Sequence, residues 1–157
     1  MLCIKKIVLL SFFAVILCAH IEGSTIKAIN ATVASIDDSV KAGLYSSLNI
    51  NEETIAEGSP TKITLFFIGE RIVLVTASVG HEIWLSKFNY YYYPNGQPMK
   101  YIKEIIDRPD NPPKQAILYN DSGNVIWKNI DAPIVQTTQM YELFAKLQKI
   151  RRELSGY

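Results

Sequence analysis

Two groups of carboxylates are the residues whose type and position could support acid–base catalysis. Glu104 and Asp107 lie near the end of a predicted strand, and Glu82 follows a predicted turn. Two carboxyl groups can act as general acid and general base when they line one cleft, as in glycoside hydrolysis. The sequence therefore permits a small carboxylate-based hydrolase that uses Glu104 with Asp107 or Glu82. The competing interpretation is that these charges are solvated loop residues.

Histidine and cysteine offer little further chemistry. Cys3, Cys18 and His20 lie in the first 20 residues, so His81 is the one histidine of the remaining chain. A single histidine without cysteine completes neither a zinc site nor a nucleophile–base pair. The sequence also carries no glycine-rich phosphate motif and no Asp-rich calcium loop. We therefore predict no metal and no cofactor, and favour a protein that is not an enzyme.

The aromatic residues of a predicted strand over Ile83–Tyr93 are the clearest binding signal. Side chains alternate between the two faces of a strand, so Tyr91 and Tyr93 are expected on one face. The other face is predicted to bind a ligand through Trp84, Phe88, Tyr90 and Tyr92. Tyrosine suits recognition because its ring is large and stiff and has a polar tip. The alternative is that these rings pack under helices and pair across strands.

The N-terminal residues have the pattern of a secretory signal peptide. Lys5-Lys6 precedes an apolar run over residues 7–17, and polarity returns at His20. The run is too short to span a bilayer, which needs about 20 apolar residues, and it matches the hydrophobic core of a signal. We predict a signal peptide over residues 1–19, with the cut as late as residue 23, and a single domain over residues 25–157.

The predicted signal peptide determines which cysteines remain in the mature chain. A chain cut after Ala19 retains no cysteine, so its core alone must stabilise it in a compartment where disulfides form. An alternative is an envelope lipoprotein anchored at Cys18, although Val15-Ile16-Leu17 lacks the small residue usually found before a lipidated cysteine.

The charge balance argues against a polyanionic partner for the chain as a whole. Removing Lys5 and Lys6 from the 16 basic residues leaves 14 against 15 acidic ones. Nucleic acid binding needs an excess of lysine and arginine. The basic residues near the C-terminus are typical of the solvated face and end of a helix. We therefore predict no nucleic acid partner.

Two helices and about six strands are predicted, which together give an α+β fold with an antiparallel meander. Apolar spacings of three and four predict helices over Thr25–Leu44 and Thr137–Leu154, with a linker between Asn49 and Pro60. β-branched and aromatic runs bounded by turn residues predict the strands. These are Lys62–Ile68, Arg71–Val79, Ile83–Tyr93, Met99–Ile106, Gln115–Tyr119 and Val125–Ile130. We expect both helices on one face of the sheet.

A resemblance appears at the turns. Glu57-Gly58 before a strand, the hairpin Phe66–Val79 and the segment Phe88–Gln97 resemble a loose group of small exported bacterial proteins. In that group a helix precedes strands of the form aromatic-aromatic-x-x-Asn/Asp-Gly-x. The resemblance implies the same helix-then-hairpin fold and no assigned activity.

These observations predict an exported, periplasmic or secreted, non-enzymatic binding domain. Its expected partner is another envelope or secreted protein, and the mature chain is expected to have no transmembrane span.

Overall fold

A computed structural model describes residues 25–50, 62–80, 85–110, 112–131 and 133–154 of the chain. It contains helix α1 (residues 25–41), seven strands and helix α2 (Pro133–Leu154). The strands are β1 Ser46–Ile50, β2 Lys62–Ile68, β3 Arg71–Gly80, β4 Leu85–Tyr92, β5 Pro98–Ile106, β6 Gln115–Tyr119 and β7 Val125–Lys128. The predicted α+β meander with a helix at each end is confirmed.

The seven strands form one antiparallel sheet in which each strand pairs with its sequence neighbours. The turns β2–β3, β4–β5 and β6–β7 therefore lie at the same end of the sheet. Each contains a glycine with positive φ, namely Gly69, Gly96 and Gly123. Glycine reaches that conformation without a Cβ clash, which explains its place in these tight turns.

Strand β1 lies in a region where the sequence predicted only a connection after helix α1. Its register pairs Leu48 with Leu65 and Ile50 with Ile63, so its apolar side chains join the core. Only Leu48 and Ile50 of its five residues are apolar, and serine and asparagine are poor strand formers, which is why the strand signal is weak. The sheet thus has seven strands where about six were predicted.

Helix α1 ends earlier than its apolar spacing predicts. The backbone N–H of Leu44 donates to the carbonyl of Ser39 at 3.0 Å, and that of Gly43 donates to Val40 at 3.1 Å. With Gly43 at φ 68°, this is a Schellman motif, which terminates a helix at a left-handed glycine. Leu44 consequently lies outside the helix and is 73% exposed.

Helix α2 begins at Pro133, four residues before the predicted start at Thr137. Proline suits the first turn because its fixed φ fits a helix and its missing N–H would have no partner there. The last predicted strand is shorter than expected and ends at Lys128.

The two helices pack on opposite faces of the sheet, so the expectation that both cover one face is wrong. On the α1 face, helix residues Ile29, Val33 and Ile36 form one apolar cluster with strand side chains such as Leu74 and Tyr91. On the α2 face, Met140 and Leu147 form a second cluster with strand residues such as Val75. Each face carries apolar sheet residues where its helix packs, so each face can bury one amphipathic helix.

Helix α2 crosses the strands near the turn end of its face. Its Thr137 hydroxyl donates to the Tyr119 hydroxyl at 3.1 Å on strand β6. One turn from its other end, Arg151 donates to the Gly69 and Glu70 carbonyls in the β2–β3 turn. The half of this sheet face that is farther from these turns therefore lies beyond helix α2.

Candidate functional site

Strand β4 positions the predicted binding residues on the face toward helix α2. Phe88, Tyr90 and Tyr92 all pack in or against the α2-face cluster, whereas Tyr91 and Tyr93 join the α1-face cluster. This confirms the predicted alternation for the residues that the structure describes. Trp84, the fourth predicted residue, lies outside the described residues.

Tyr92 lies in the core beneath helix α2. Its ring is 1% exposed and its centroid is 4.8 Å from that of Phe144. Its hydroxyl donates to the Met140 carbonyl at 3.0 Å. Burial raises the pKa of this phenol well above its ordinary value, because ionisation would leave a charge without water. The Tyr92 ring attaches the helix to the sheet and does not face solvent.

Phe88 and Tyr90 are half-buried, and their rings lie next to each other along the strand. Their centroids are 6.3 Å apart with an interplanar angle of 14°, and Tyr90 also packs on Tyr101 of strand β5 at 5.4 Å. The Lys103 ammonium lies 5.7 Å from the centre of the Phe88 ring. These four residues, Phe88, Tyr90, Tyr101 and Lys103, form what we call the ring–lysine surface.

The ring–lysine surface combines apolar area, a polar tip and one cation. Desolvation raises the pKa of Tyr90 to about 12. Its hydroxyl is protonated at neutral pH, as in any tyrosine, and can donate a hydrogen bond. A cation above an aromatic face is favourable and remains able to pair with an anion. This arrangement can bind a partner through apolar contact, one hydroxyl group and one cation.

Tyr101 and Lys103 were not singled out from the sequence because their position depends on a β-bulge. If the register set by the Tyr92–Pro98 pair continued without a bulge, Tyr90 would lie opposite Lys100. A register shift between Tyr91 and Tyr92 instead places Tyr90 opposite Tyr101. One extra residue in a strand moves the side chains of all later residues to the opposite face of the sheet. No local sequence feature predicts where this extra residue occurs.

A polar cluster on the α1 face joins helix α1 to the sheet. The Tyr91 hydroxyl donates to the Asp37 carboxylate at 2.8 Å, and the Lys100 ammonium donates to the Asn30 side-chain oxygen at 2.8 Å. Burial, and then Asp37, raises the pKa of Tyr91. Burial also lowers the pKa of Lys100. These contacts fix the position of the helix relative to strands β4 and β5.

Glu104 and Asp107, two of the carboxylates considered for hydrolysis, are accessible to solvent at the end of strand β5 away from the β4–β5 turn. Glu104 forms an ion pair with Lys114 at 3.2 Å, and Asp110 forms one with Arg108 at 2.7 Å. Asp107 follows strand β5 with φ 64°, and Glu82 lies outside the described residues. Hydrolysis stays a prediction that no observation here favours. Within the described ranges, no three histidine, cysteine or acidic side chains are grouped as metal ligands.

Fold and surface together define an α+β protein with an antiparallel sheet between two helices and aromatic rings at one sheet face. No family model matches the sequence, and no curated protein or solved structure matches it either. The resemblance to small exported bacterial proteins therefore stays a prediction. Neither α1 nor α2, the helices of the described residues, combines the length and apolar character of a membrane span.

Proposed function

We propose that this protein is an exported, periplasmic or secreted binding domain without enzymatic activity. Its partner is another envelope or secreted protein, which it contacts through Phe88 and Tyr90. Trp84, which the sequence predicts on the same face, lies outside the described residues. Binding requires no metal and no cofactor, because burial of the ring edges supplies the free energy.

One observation carries the proposal: half-buried rings lie directly beside fully buried ones. Tyr92 and Tyr101 are 1% and 4% exposed, and Phe88 and Tyr90 pack against that cluster while keeping part of their surface in solvent. Rings held by a rigid core lose little conformational freedom when a partner binds. A surface of this kind suits specific protein recognition.

Export is supported by sequence features alone. The short basic stretch before the apolar run over residues 7–17 has the form of a signal peptide. Both cysteines lie within the first 18 residues, so the domain that remains needs no redox control.

The test compares ring variants in binding and in stability. The binding partner is captured by cross-linking in the envelope fraction of the source cells, identified, and titrated against purified variants. Phe88→Ala and Tyr90→Ala should each weaken the measured Kd by about tenfold, as expected for a central interface aromatic. Their thermal midpoints should fall, because the rings are half-buried, but both variants should stay folded at the temperature of the titration.

Leu44→Ala supplies the matched control. Leu44 is an exposed apolar residue on the loop after helix α1, away from the ring–lysine surface. Its substitution should leave the Kd unchanged. An equal loss of affinity in Leu44→Ala, or loss of affinity only together with loss of folding in the ring variants, would refute the proposal.

A further inference from the structure

The α1 face of the sheet carries a second surface with a different chemistry. Strands β2, β3 and β4 form a shallow depression that is lined by Ala77 and by six side chains with hydroxyl, amide or ammonium groups. These six side chains, which we call the polar strip, are Lys62, Thr64, Thr76, Ser78, Lys87 and Asn89.

The polar strip is open because helix α1 covers only the turn half of this face. The helix packs on Leu74 of strand β3 and Tyr91 of strand β4. Thr76 and Asn89 lie two residues further along these strands, about 7 Å away, and the next pair lies about 14 Å away. A helix with its side chains is about 10 Å wide, so the outer row is beyond its reach.

The strip consists of two cross-strand rows. In the inner row, Thr64 is paired with Thr76 and Thr76 with Asn89. In the outer row, Ser78 is paired with Lys62 on one side and Lys87 on the other. Because neighbouring strands are about 4.8 Å apart, the backbone positions of Lys62 and Lys87 are separated by about 10 Å, with Ser78 between them.

The outer row favours acidic groups of a ligand, and the inner row favours its hydroxyl groups. Lys62 and Lys87 are exposed ammonium groups, and no carboxylate lines the depression in the described part of the chain. Glu104, opposite Lys87 on strand β5, is held by Lys114. Threonine and asparagine side chains both donate and accept hydrogen bonds, which matches the hydroxyl groups of sugars. The Thr64 hydroxyl donates to the Asn49 side-chain oxygen at 2.7 Å, so it offers a sugar hydroxyl an acceptor.

We infer that the polar strip binds an acidic polysaccharide that carries carboxylate groups. The two lysines pair with carboxylates, and the Thr64–Thr76–Asn89 row contacts ring hydroxyls. The strip lies on the sheet face opposite the ring–lysine surface, so this site is independent of the protein-binding site proposed above. A polysaccharide of this class is available to a protein that leaves the cytoplasm.

The test uses three soluble polymers with the protein expressed from its full-length sequence. Carboxymethyl dextran carries charge and hydroxyls, dextran carries hydroxyls alone, and polyglutamate carries charge alone. Calorimetry should show the tightest binding to carboxymethyl dextran, about tenfold weaker binding to polyglutamate and none to dextran. Affinity for carboxymethyl dextran should fall as salt concentration rises.

Variants then separate the two rows. Lys62→Gln with Lys87→Gln should weaken carboxymethyl dextran binding by about tenfold or more. Thr76→Val keeps a β-branched side chain of similar size and should weaken it by about threefold to tenfold with an unchanged thermal midpoint. Lys149→Gln, an exposed lysine on helix α2 over the opposite face, is the matched control and should have no effect.

Three outcomes would overturn the inference. Equal affinity for polyglutamate and carboxymethyl dextran, together with no effect of Thr76→Val, would show general attraction of anions. Equal losses in Lys149→Gln and the strip variants would place binding elsewhere. Failure to bind carboxymethyl dextran at low salt would exclude the site altogether.

Discussion

The two tyrosines of strand β4 that point toward helix α2 differ in what covers them. Tyr92 lies under Phe144 and bonds to the helix backbone, whereas Tyr90 lies two residues further from the helix and keeps part of its ring in solvent. The same residue type therefore contributes to stability at one position and to a surface at the other.

Substitutions at Tyr92 should reduce stability in two separable steps. Tyr92→Phe removes one buried hydrogen bond and should lower the free energy of unfolding by about 1 kcal/mol. Tyr92→Ala also leaves a cavity and should lower it by about 3–5 kcal/mol. Urea unfolding followed by circular dichroism measures both. A Tyr92→Ala variant as stable as Tyr90→Ala would contradict the burial described here.

Two glycines with the same backbone conformation allow a test of close packing. Gly96 and Gly43 have φ values of 83° and 68°, so alanine is strained at either position. A Cβ at Gly96 would also lie 2.9 Å from the Phe144 ring, whereas a Cβ at Gly43 would contact nothing within 4 Å.

Gly96→Ala should therefore destabilise the protein more than Gly43→Ala. Backbone strain should cost about 1 kcal/mol in both variants, and displacement of Phe144 adds to it at Gly96 only. The difference in thermal midpoint measures this second contribution. Equal midpoints would mean that Phe144 does not press on the β4–β5 turn.

The faces of the aromatic residues could be predicted from the sequence, but their burial could not. Strict alternation along strand β4 assigns Tyr90, Tyr91 and Tyr92 to faces without any tertiary information. Which ring is covered depends on where helix α2 crosses the sheet, and which ring of β5 lies beside Tyr90 depends on the bulge near Tyr92. Neither feature has a local signature.

At the scale of elements, the C-terminal end of helix α2 is attached to the β2–β3 turn by one arginine. Arg151 donates to the Glu70 carbonyl at 3.0 Å and to the Gly69 carbonyl at 2.6 Å, and its guanidinium lies 4.6 Å from the centre of the Phe67 ring. Gln148 adds a bond to Glu70 at 2.9 Å. Guanidinium geometry permits two carbonyl bonds and ring stacking together.

Arg151→Ala should loosen this attachment locally. We expect a loss of about 1–2 kcal/mol, since the bonds are charge-assisted but partly solvated. Amide hydrogen exchange should accelerate in the β2–β3 turn and in the last turns of α2, and much less in strand β6. Arg151→Lys should recover only part of the loss, because lysine lacks the planar fork. Uniform acceleration across the sheet would contradict a local role.

Helix α2 was predictable from apolar spacing, whereas its partner was not. The stripe that includes Met140 and Leu147 specifies which side of the helix is buried. It does not specify which face of a sheet receives it, and here both faces are apolar enough to take one helix each. Strand β1 was missed for a different reason, since five residues with one asparagine give too short a pattern.

At the scale of the whole molecule, buried phenols make stability depend on alkaline pH. The pKa of Tyr90 is raised to about 12, and those of Tyr91, Tyr92, Tyr101 and Tyr119 are raised as well, each mainly by burial. Above about pH 10 the unfolded chain releases these protons and the folded protein retains them. The contribution of these phenols to stability should therefore be constant below this pH and fall above it. The pKa of Lys100 is lowered by burial, so its contribution to stability rises with pH instead of falling.

Urea unfolding between about pH 9 and pH 12 tests this linkage. Each tyrosine that ionises only on unfolding contributes a decrease of about 1.4 kcal/mol per pH unit. Tyr90→Phe should reduce the slope, and tyrosinate absorbance should rise in step with unfolding. A flat stability profile over this interval would show that the rings are solvated.

The central claim is that the chain is an exported binding domain, and export is the part on which compartment and partner both depend. Subcellular fractionation of the source cells followed by intact-mass measurement tests it most directly. We predict a thiol-free chain in the periplasm or medium that begins at residue 20, or as late as residue 24. A lipid increment on a chain beginning at Cys18 would support the lipoprotein alternative. The complete 157-residue chain, uncut in the cytoplasm, would contradict the account.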